Sequence, residues 1–552
     1  MRSLRAKLRN GFICPPEKFR VNDIYWKYGI DYAALEAWPE SAKWWLSCMG
    51  FLRLLLIEEY LSPEDEKICR FIIEDWEKKL PIKSSRFLRA WDGHAVALRA
   101  EVLVQVALRS RDNGYLLNIL NDHIDFLLED DNFQGNWNHG VDQAHALIQL
   151  SEYMKFEKGK LIGVRRLEAA LDVMVDFEGV TIEQSVHYQL YNFKQLGRSV
   201  EVLKKTNGHN SNKLISSLIE RREKMATFLA HATRPDGSYV EIGDTPSQRA
   251  ETIPNTDAEF AATFGVRGIA PLEKVKIYSA GYIFGRSGWG QDRVFLDESH
   301  YAIRFGPARI VHGHNDHGSI LYYTKGKVIL RDGGFHGYTD DLMRKFLRQV
   351  EAHNSISVSK PDLRFRGRNT ILVSSHINDA WQKFELLGSP YDGVTHKRII
   401  FFSRNPEAII VVDEVIAPTE IVVDQKWHFG GDCHLLKSSD SSFLSDDGLF
   451  EVKQHYPFDE IIYSNKNDEN NPNVVSGEKM YEVEKCTVLL TKRKGKKVTF
   501  LTTFSFLSDG EIPKAKDKKS AENNVRRELH IYNKLSKLIL YFLDGGGVVF
   551  GK

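Results

Sequence analysis

The run HGHNDHGSILYYTKGKVILRDGG, His312 to Gly334, holds a dense polar cluster followed by a strand pattern. SILYYT and KVIL are short, β-branched and aromatic, with Lys325-Gly326 between them, which predicts a β-hairpin. Ahead of it, His312, His314, Asp316 and His317 crowd into six residues. His312 and His314 alternate, so on a strand both point to one face. Two imidazoles on one face suit a divalent metal such as zinc when a carboxylate or third histidine joins them. Asp332, in LRDGGFHGY, and His353, in EAHNSISV, each flank a β-like run and are candidates to join.

The segments that follow continue the strand pattern. NTILVSSHI, KRIIFFSRNPEAIIVVDEVI and CTVLLTKRKGKKVTFLTTFSF are β-rich, with Lys-Gly or Asn-Pro turns between several of them. GYIFGRSGW and SHYAIRF precede the cluster in the same style. Upstream the period changes. SAKWWLSCMGFLRLLLIEEYL, HAVALRAEVLVQVALRS, GVDQAHALIQLSEYM and SNKLISSLIERREKMATFLAHAT space apolar residues by three and four, as helices do. The changeover falls in the Pro-, Asp- and Thr-rich stretch 235–260. The expected organisation is a helical domain over residues 1–265 and an antiparallel β-domain over 266–552.

At 552 residues, two or more domains are expected. A net charge of +1 gives no global attraction to nucleic acid or to an anionic membrane, so an anionic ligand needs a local basic cleft. The five cysteines are scattered and form no CxxC pair, which suggests neither a disulfide framework nor a thiolate zinc site. No apolar run is long enough to span a bilayer, and the N-terminal apolar stretch is too short for a signal peptide, so the default expectation is a cytoplasmic location. The oligomeric state is not legible.

Two further polar clusters lie in the helical half. GNWNHGVDQAHAL places Trp137, Asn138, His139, Asp142 and His145 at a helix entry, where backbone donors are unsatisfied. Taken alone, Asn138 reads as a helix cap. EQSVHYQLY places Tyr188 and Tyr191 three residues apart, on one helix face. Taken alone, they read as core tyrosines. Most of the ten tryptophans fall before residue 140; Trp137 stands out as a sugar-stacking candidate because of its neighbours.

HGHNDHG matches the H-x-H-x-D-H signature of metallo-β-lactamase-like hydrolases, in which two metals activate water. The setting differs: that signature opens a helix early in a β-rich chain, whereas here a helical half precedes it and a hairpin follows. The clusters taken in order resemble the heparinase II/III-like polysaccharide lyases, including related alginate lyases. KYGIDYAALEAWPESAKWWL, WDGHAVALR, GNWNHGVDQAHAL and EQSVHYQLY resemble successive segments of that family's helical part. GYIFGRSGW, the His312–Gly334 run and RKFLRQVEAHNSISV resemble its β-part.

The resemblance implies an α+β multidomain fold: an N-terminal incomplete (α/α) toroid followed by a C-terminal antiparallel β-sandwich. It implies cleavage of a uronic-acid-containing acidic polysaccharide by β-elimination. It assigns Asn138 and His139 to the substrate carboxylate and the base, Tyr188 to the catalytic tyrosine with Tyr191 as fallback, and His312 to the active-site histidine of the β-part. It assigns His314, Asp332 and His353 to a structural divalent metal, usually zinc in that family, and gives His317 no role. A glycine, Gly333, follows Asp332 where the family often has proline. Arg344 and Arg348 are candidates for substrate anions, and Arg364, Arg366 and Arg368 form a second basic set; solvated surface is the plainer reading of both. The alternatives are a metallo-β-lactamase-like hydrolase using the H-x-H-x-D-H cluster and a non-catalytic carbohydrate-binding relative.

Overall fold

The computed structural model describes residues 2–82, 90–206, 212–359, 363–431, 433–469, 471, 473–477, 480–507, 511–519, 525–532, 537–543 and 548–550. The chain forms two compact units. The first comprises Met1–Glu183, Gln189–Met225 and Gly337–Asp341, and the second Gln184–Tyr188, Ala226–His336 and Leu342–Lys552.

The first unit is helical. Its main helices are Pro63–Lys79, Gly93–Arg109, Leu117–Leu128, Asn138–Tyr153 and Glu157–Met174. Asp92 caps the second of these, its carboxylate accepting the His94 and Ala95 N–H groups. Leu103, Val106, Leu120, Leu147 and Leu150 meet in one core, as their spacing requires. The long helix expected over 41–61 is not continuous. Helix Glu40–Ser47 stops at Met49, whose φ of 52° is left-handed, and a 3₁₀ segment Gly50–Leu54 follows. The apolar period carries across this break because both pieces bury their faces in the same core.

The second unit is built of antiparallel sheets. A five-stranded sheet runs in chain order through Val275–Tyr278, Tyr282–Arg286, His300–Arg304, Ile320–Thr324 and Lys327–Leu330. Its last two strands are the expected hairpin: Lys325 (φ 50°) and Gly326 (φ 79°) make the turn, both at the positive φ that tight hairpins demand. A ten-stranded sheet centres on Trp381–Tyr391, Val394–Arg404, Glu407–His428 and Val488–Phe506. Both of its faces are covered. Phe384, Ile400, Ile409 and Phe504 share a core with Ile283, Ile303 and Tyr322 of the five-stranded sheet. Ile399, Phe401, Ile410 and Leu501 on the other face pack with Leu529 and Leu540 of a four-stranded sheet. Burial on both faces explains why IIFF and AIIVV are continuous apolar runs without alternation. Lys494-Gly495 is no turn. It lies inside strand Val488–Phe506, opposite an irregularity between Ile416 and Ile421 of the 22-residue strand Glu407–His428.

The second unit begins before residue 266. Residues beside and within the changeover stretch are tied into it: Arg286 Nη2 donates to the Thr233 carbonyl at 2.6 Å, and the Asp244 N–H donates to the His312 carbonyl at 2.8 Å. No helix among the described residues is long and apolar enough to cross a membrane.

Candidate active site

In the first unit, the sequence cluster lies at the start of helix Asn138–Tyr153. The helix cap is the backbone of Trp137, with no side-chain capping bond, so Asn138 is not the cap that local sequence suggests. Asn138 is buried, and its carbonyl accepts from Gln195 Nε2 at 2.8 Å. His139 Nδ1 meets Gln134 Oε1 at 2.8 Å, and its ring stacks on His94 with centroids 3.9 Å apart. Trp137 lies edge-on to His139 at 6.3 Å.

Behind this pair stands Asp142, fully buried. Its carboxylate accepts from His94 Nε2 (2.9 Å), the Tyr191 hydroxyl (2.9 Å) and Arg198 Nη2 (2.6 Å). Burial alone would raise the Asp142 carboxyl; His94 and Arg198 outweigh it and hold the group well below the usual carboxylate range. Burial and the Asp142 charge push the Tyr191 phenol up, and its proton is committed to Asp142. Tyr191 is therefore the poorer of the two tyrosines for acid–base work. His94 and Arg198 were not singled out in the sequence, because a histidine and an arginine within amphipathic helices look like ordinary facing residues.

In the second unit, the loop ahead of strand Ile320–Thr324 carries His312 and His314. They are not on a strand: the segment 311–318 is irregular, with Val311 at φ 37° and Gly318 at φ 79°. Both rings nevertheless reach one carboxylate. Asp244 Oδ2 accepts from His312 Nδ1 at 2.8 Å and from Arg344 Nη2 at 2.8 Å, while Oδ1 accepts from His314 Nε2 at 3.1 Å. Burial would raise Asp244; hydrogen bonds from His312 and His314 and the Arg344 charge hold it far below the usual range. Tyr188 stacks face to face on His312, ring centroids 3.5 Å apart and planes 10° from parallel. Burial pushes the His312 imidazolium down, against the pull of Asp244.

Arg344 and Arg348 are not solvated surface. Arg344 sits on Asp244 and over the Phe335 ring, and Arg348 Nη2 donates to the Val311 carbonyl at 2.7 Å. Arg366 and Arg368 are half exposed and paired with Asp392, and Arg364 is exposed, as the plainer reading holds. Asp244 was missed in the sequence. It sits in the IGDT turn of the changeover stretch, where an Asp beside a Gly reads as loop chemistry.

His314, Asp332 and His353 come together as the sequence suggested. All three are buried, and one ligand atom of each lies within 4.8 Å of the others. His314 Nδ1 and His353 Nε2 are buried without a hydrogen-bond partner, while His353 Nδ1 is oriented by Asp332 Oδ2 at 2.9 Å. Two unsatisfied imidazole nitrogens beside a carboxylate are the donor set a zinc ion takes, so the residues fit that metal. Histidines and carboxylate of the H-x-H-x-D-H string do not converge as a two-metal site would need. His317 Nε2 lies against the Pro307 carbonyl at 3.0 Å, and Asp316 pairs with Arg304 at 3.5 Å.

Residues 279–527 match the family model Heparinase II/III-like, C-terminal. A stretch of 312 residues, 51% of this chain, is 21% identical to a heparin-sulfate lyase of Bacteroides stercoris and spans 44% of that protein's length. Among solved structures, the chain is similar in fold to heparinase III, with a TM-score of 0.77 at 14% identity over 98% of this chain and 91% of that one. It is also similar to a heparan sulfate lyase from Pedobacter heparinus, with a TM-score of 0.67 at 15% identity over 100% of this chain and 88% of that one. Residues 279–527 thus resemble the C-terminal part of the heparinase II/III-like family, and the chain shares its fold with solved heparinases.

Proposed function

We propose that this protein is a polysaccharide lyase that cleaves a uronic-acid-containing glycan of the glycosaminoglycan class by β-elimination. The observation that carries the reading is the Tyr188–His312 stack, with His312 Nδ1 anchored on Asp244. The names of the relatives support an acidic polysaccharide as substrate. On the same reading the helical part is an incomplete (α/α) toroid and the β-part a sandwich.

Elimination removes the C5 proton, α to the carboxylate, and expels the glycosidic oxygen at C4, leaving a C4–C5 double bond. No water is added. An ionised carboxylate makes that proton very weakly acidic, so its charge must first be met by hydrogen-bond donors. Asn138 takes this role, by the resemblance. Tyr188 gives its phenolic proton to the departing oxygen. When the C5 proton lies on the same side of the ring as that oxygen, ionised Tyr188 removes it too; for the opposite epimer His139 is the base. A free phenol titrates near 10, so this role requires cationic groups close to the hydroxyl. His312 packs flat against the Tyr188 ring, fixing where the hydroxyl points. Zinc held by His314, Asp332 and His353 would fasten the loop of His312 to strands of the β-part. It takes no part in the proton transfers.

The test is to incubate the protein with a panel of uronate polymers and follow the far-ultraviolet absorbance of the unsaturated uronate. A rise supports elimination. New reducing ends without that absorbance indicate hydrolysis, and binding with neither indicates a non-catalytic protein. Tyr188→Phe should lower turnover by at least about 10²-fold, the scale of a lost acid–base group, with the fold kept. Full activity in that variant would end the assignment.

A further inference from the structure

We propose that Asp244 is a positioning residue that serves two histidines at once, fixing the tautomer and orientation of His312 and of His314 and so coupling the metal site to the catalytic ring. What His312 does in turnover rests on the elimination reading above; the geometry does not.

A carboxylate only accepts hydrogen bonds, so a ring nitrogen facing it carries the proton. Asp244 faces Nδ1 of His312 at 2.8 Å and Nε2 of His314 at 3.1 Å. The two rings, one residue apart on the chain's alternation, are thereby set in opposite tautomers. The basic lone pair of His312 falls on Nε2, and that of His314 on Nδ1. The latter is the buried nitrogen without a hydrogen-bond partner, which lies in the group with Asp332 and His353. Reversing either tautomer would put a proton where a metal must bind, or a lone pair against a carboxylate oxygen.

Asp244 is held so that it cannot follow one ring and abandon the other. Its own N–H donates to the His312 carbonyl at 2.8 Å. The preceding Gly243 has φ 61°, and a Cβ there would come within 2.3 Å of the Gln184 carbonyl oxygen and 2.7 Å of the His312 carbonyl oxygen. The backbone of the carboxylate and the backbone of the histidine loop are thus in direct contact, with no side chain between them. Arg344 adds the carboxylate's third bond, to Oδ2 at 2.8 Å, and the carboxylate is completely buried. A partner that only filled space would need none of these alignments.

The experiment compares the wild-type protein with Asp244→Asn. Metal-free protein is titrated with zinc alone against a competing chelator. Histidine tautomers are read from ¹⁵N chemical shifts in two-bond correlation spectra, and kcat and KM are measured at saturating zinc. An amide offers one accepting oxygen, so it can serve one ring only. The expected results are a fall of about 10–100-fold in zinc affinity, loss of a locked tautomer at His312 or His314, and a fall in kcat that saturating zinc does not reverse, with KM little changed. Unchanged tautomers with unchanged zinc affinity would overturn the proposal, as would full recovery of kcat on saturation with zinc. Should the variant not fold, the wild-type spectrum decides: Nδ1–H on His312 with Nε2–H on His314 supports the assignment, and any other pair refutes it. Should the wild type eliminate no polymer, the functional reading fails while the tautomer and zinc measurements still judge Asp244.

Discussion

Glu183 shows how one buried side chain sets a pH dependence. It is fully buried beside helix Asn138–Tyr153, and Asn192 Nδ2 donates to its Oε1 at 3.0 Å. Burial disfavours its charge more than Asn192 and the Asn138 N–H favour it, and the carboxyl is pushed up to about 7. The folded chain therefore holds a proton that the unfolded chain releases above its ordinary value of about 4.3. Stability from this group is complete below that value and is lost as pH rises to the folded value. Glu183→Gln removes the titration and keeps the Asn192 bond. In thermal and urea denaturation it should match the wild type near pH 4 and exceed it near pH 8, by as much as about 3 kcal/mol. A variant that loses stability equally at both pH values would mean that the carboxylate is paired in its charged form. Residue roles of this kind were partly legible. His314, Asp332 and His353 announced themselves because imidazole and carboxylate beside β-runs have few other uses. Asp244, His94 and Arg198 did not, because each acts on a residue far away in sequence.

At the scale of elements, the loop that carries His312 and His314 is pinned by a strand behind it. Arg398, in strand Val394–Arg404, is completely buried and makes a two-pronged pair with Asp413, at 2.7 and 2.8 Å, on the neighbouring strand. Its Nη1 also donates to the carbonyls of Gly318 (2.6 Å) and Asn354 (2.7 Å), which follow the histidine cluster and His353. Arg398→Met leaves the Asp413 charge buried without its main partner and should cost about 3–5 kcal/mol in chemical denaturation. Adding Asp413→Leu should recover part of that loss; a double variant no better than the single one would show that the carbonyl contacts carry the effect. Most elements follow from periodicity alone, since helix and strand spacing survive in GVDQAHALIQLSEYM and YAIRF. Loops did not: the alternation of His312 and His314 suggested a strand, but Val311 and Gly318 turn the chain at positive φ, and tertiary bonds to Asp244 restore the shared direction that a strand would have given.

For the whole molecule, the proposed metal site would join three separate stretches of the second unit: the His312–Gly318 loop, the end of strand Lys327–Leu330, and the turn before strand Ile356–Ser359. Anything bound there stabilises the folded form by mass action. Chelation of the zinc-loaded protein should lower its melting temperature, and added zinc should restore it; turnover should fall in step with unfolding. An enzyme silenced at once while still fully folded would point to a metal that takes part in the reaction. A melting temperature indifferent to chelator and zinc would rule out a structural metal. Sequence by itself determined the helical and β character of the two parts, the hairpin at Lys325-Gly326 and the three ligand candidates, because these depend on local spacing and on side-chain chemistry. Only the tertiary structure decided which tyrosine stacks on His312, that Tyr191 is bound to Asp142, and that Asp244 holds both histidines. Those choices depend on burial and on carboxylates brought in from distant segments, and no local pattern records where a chain returns.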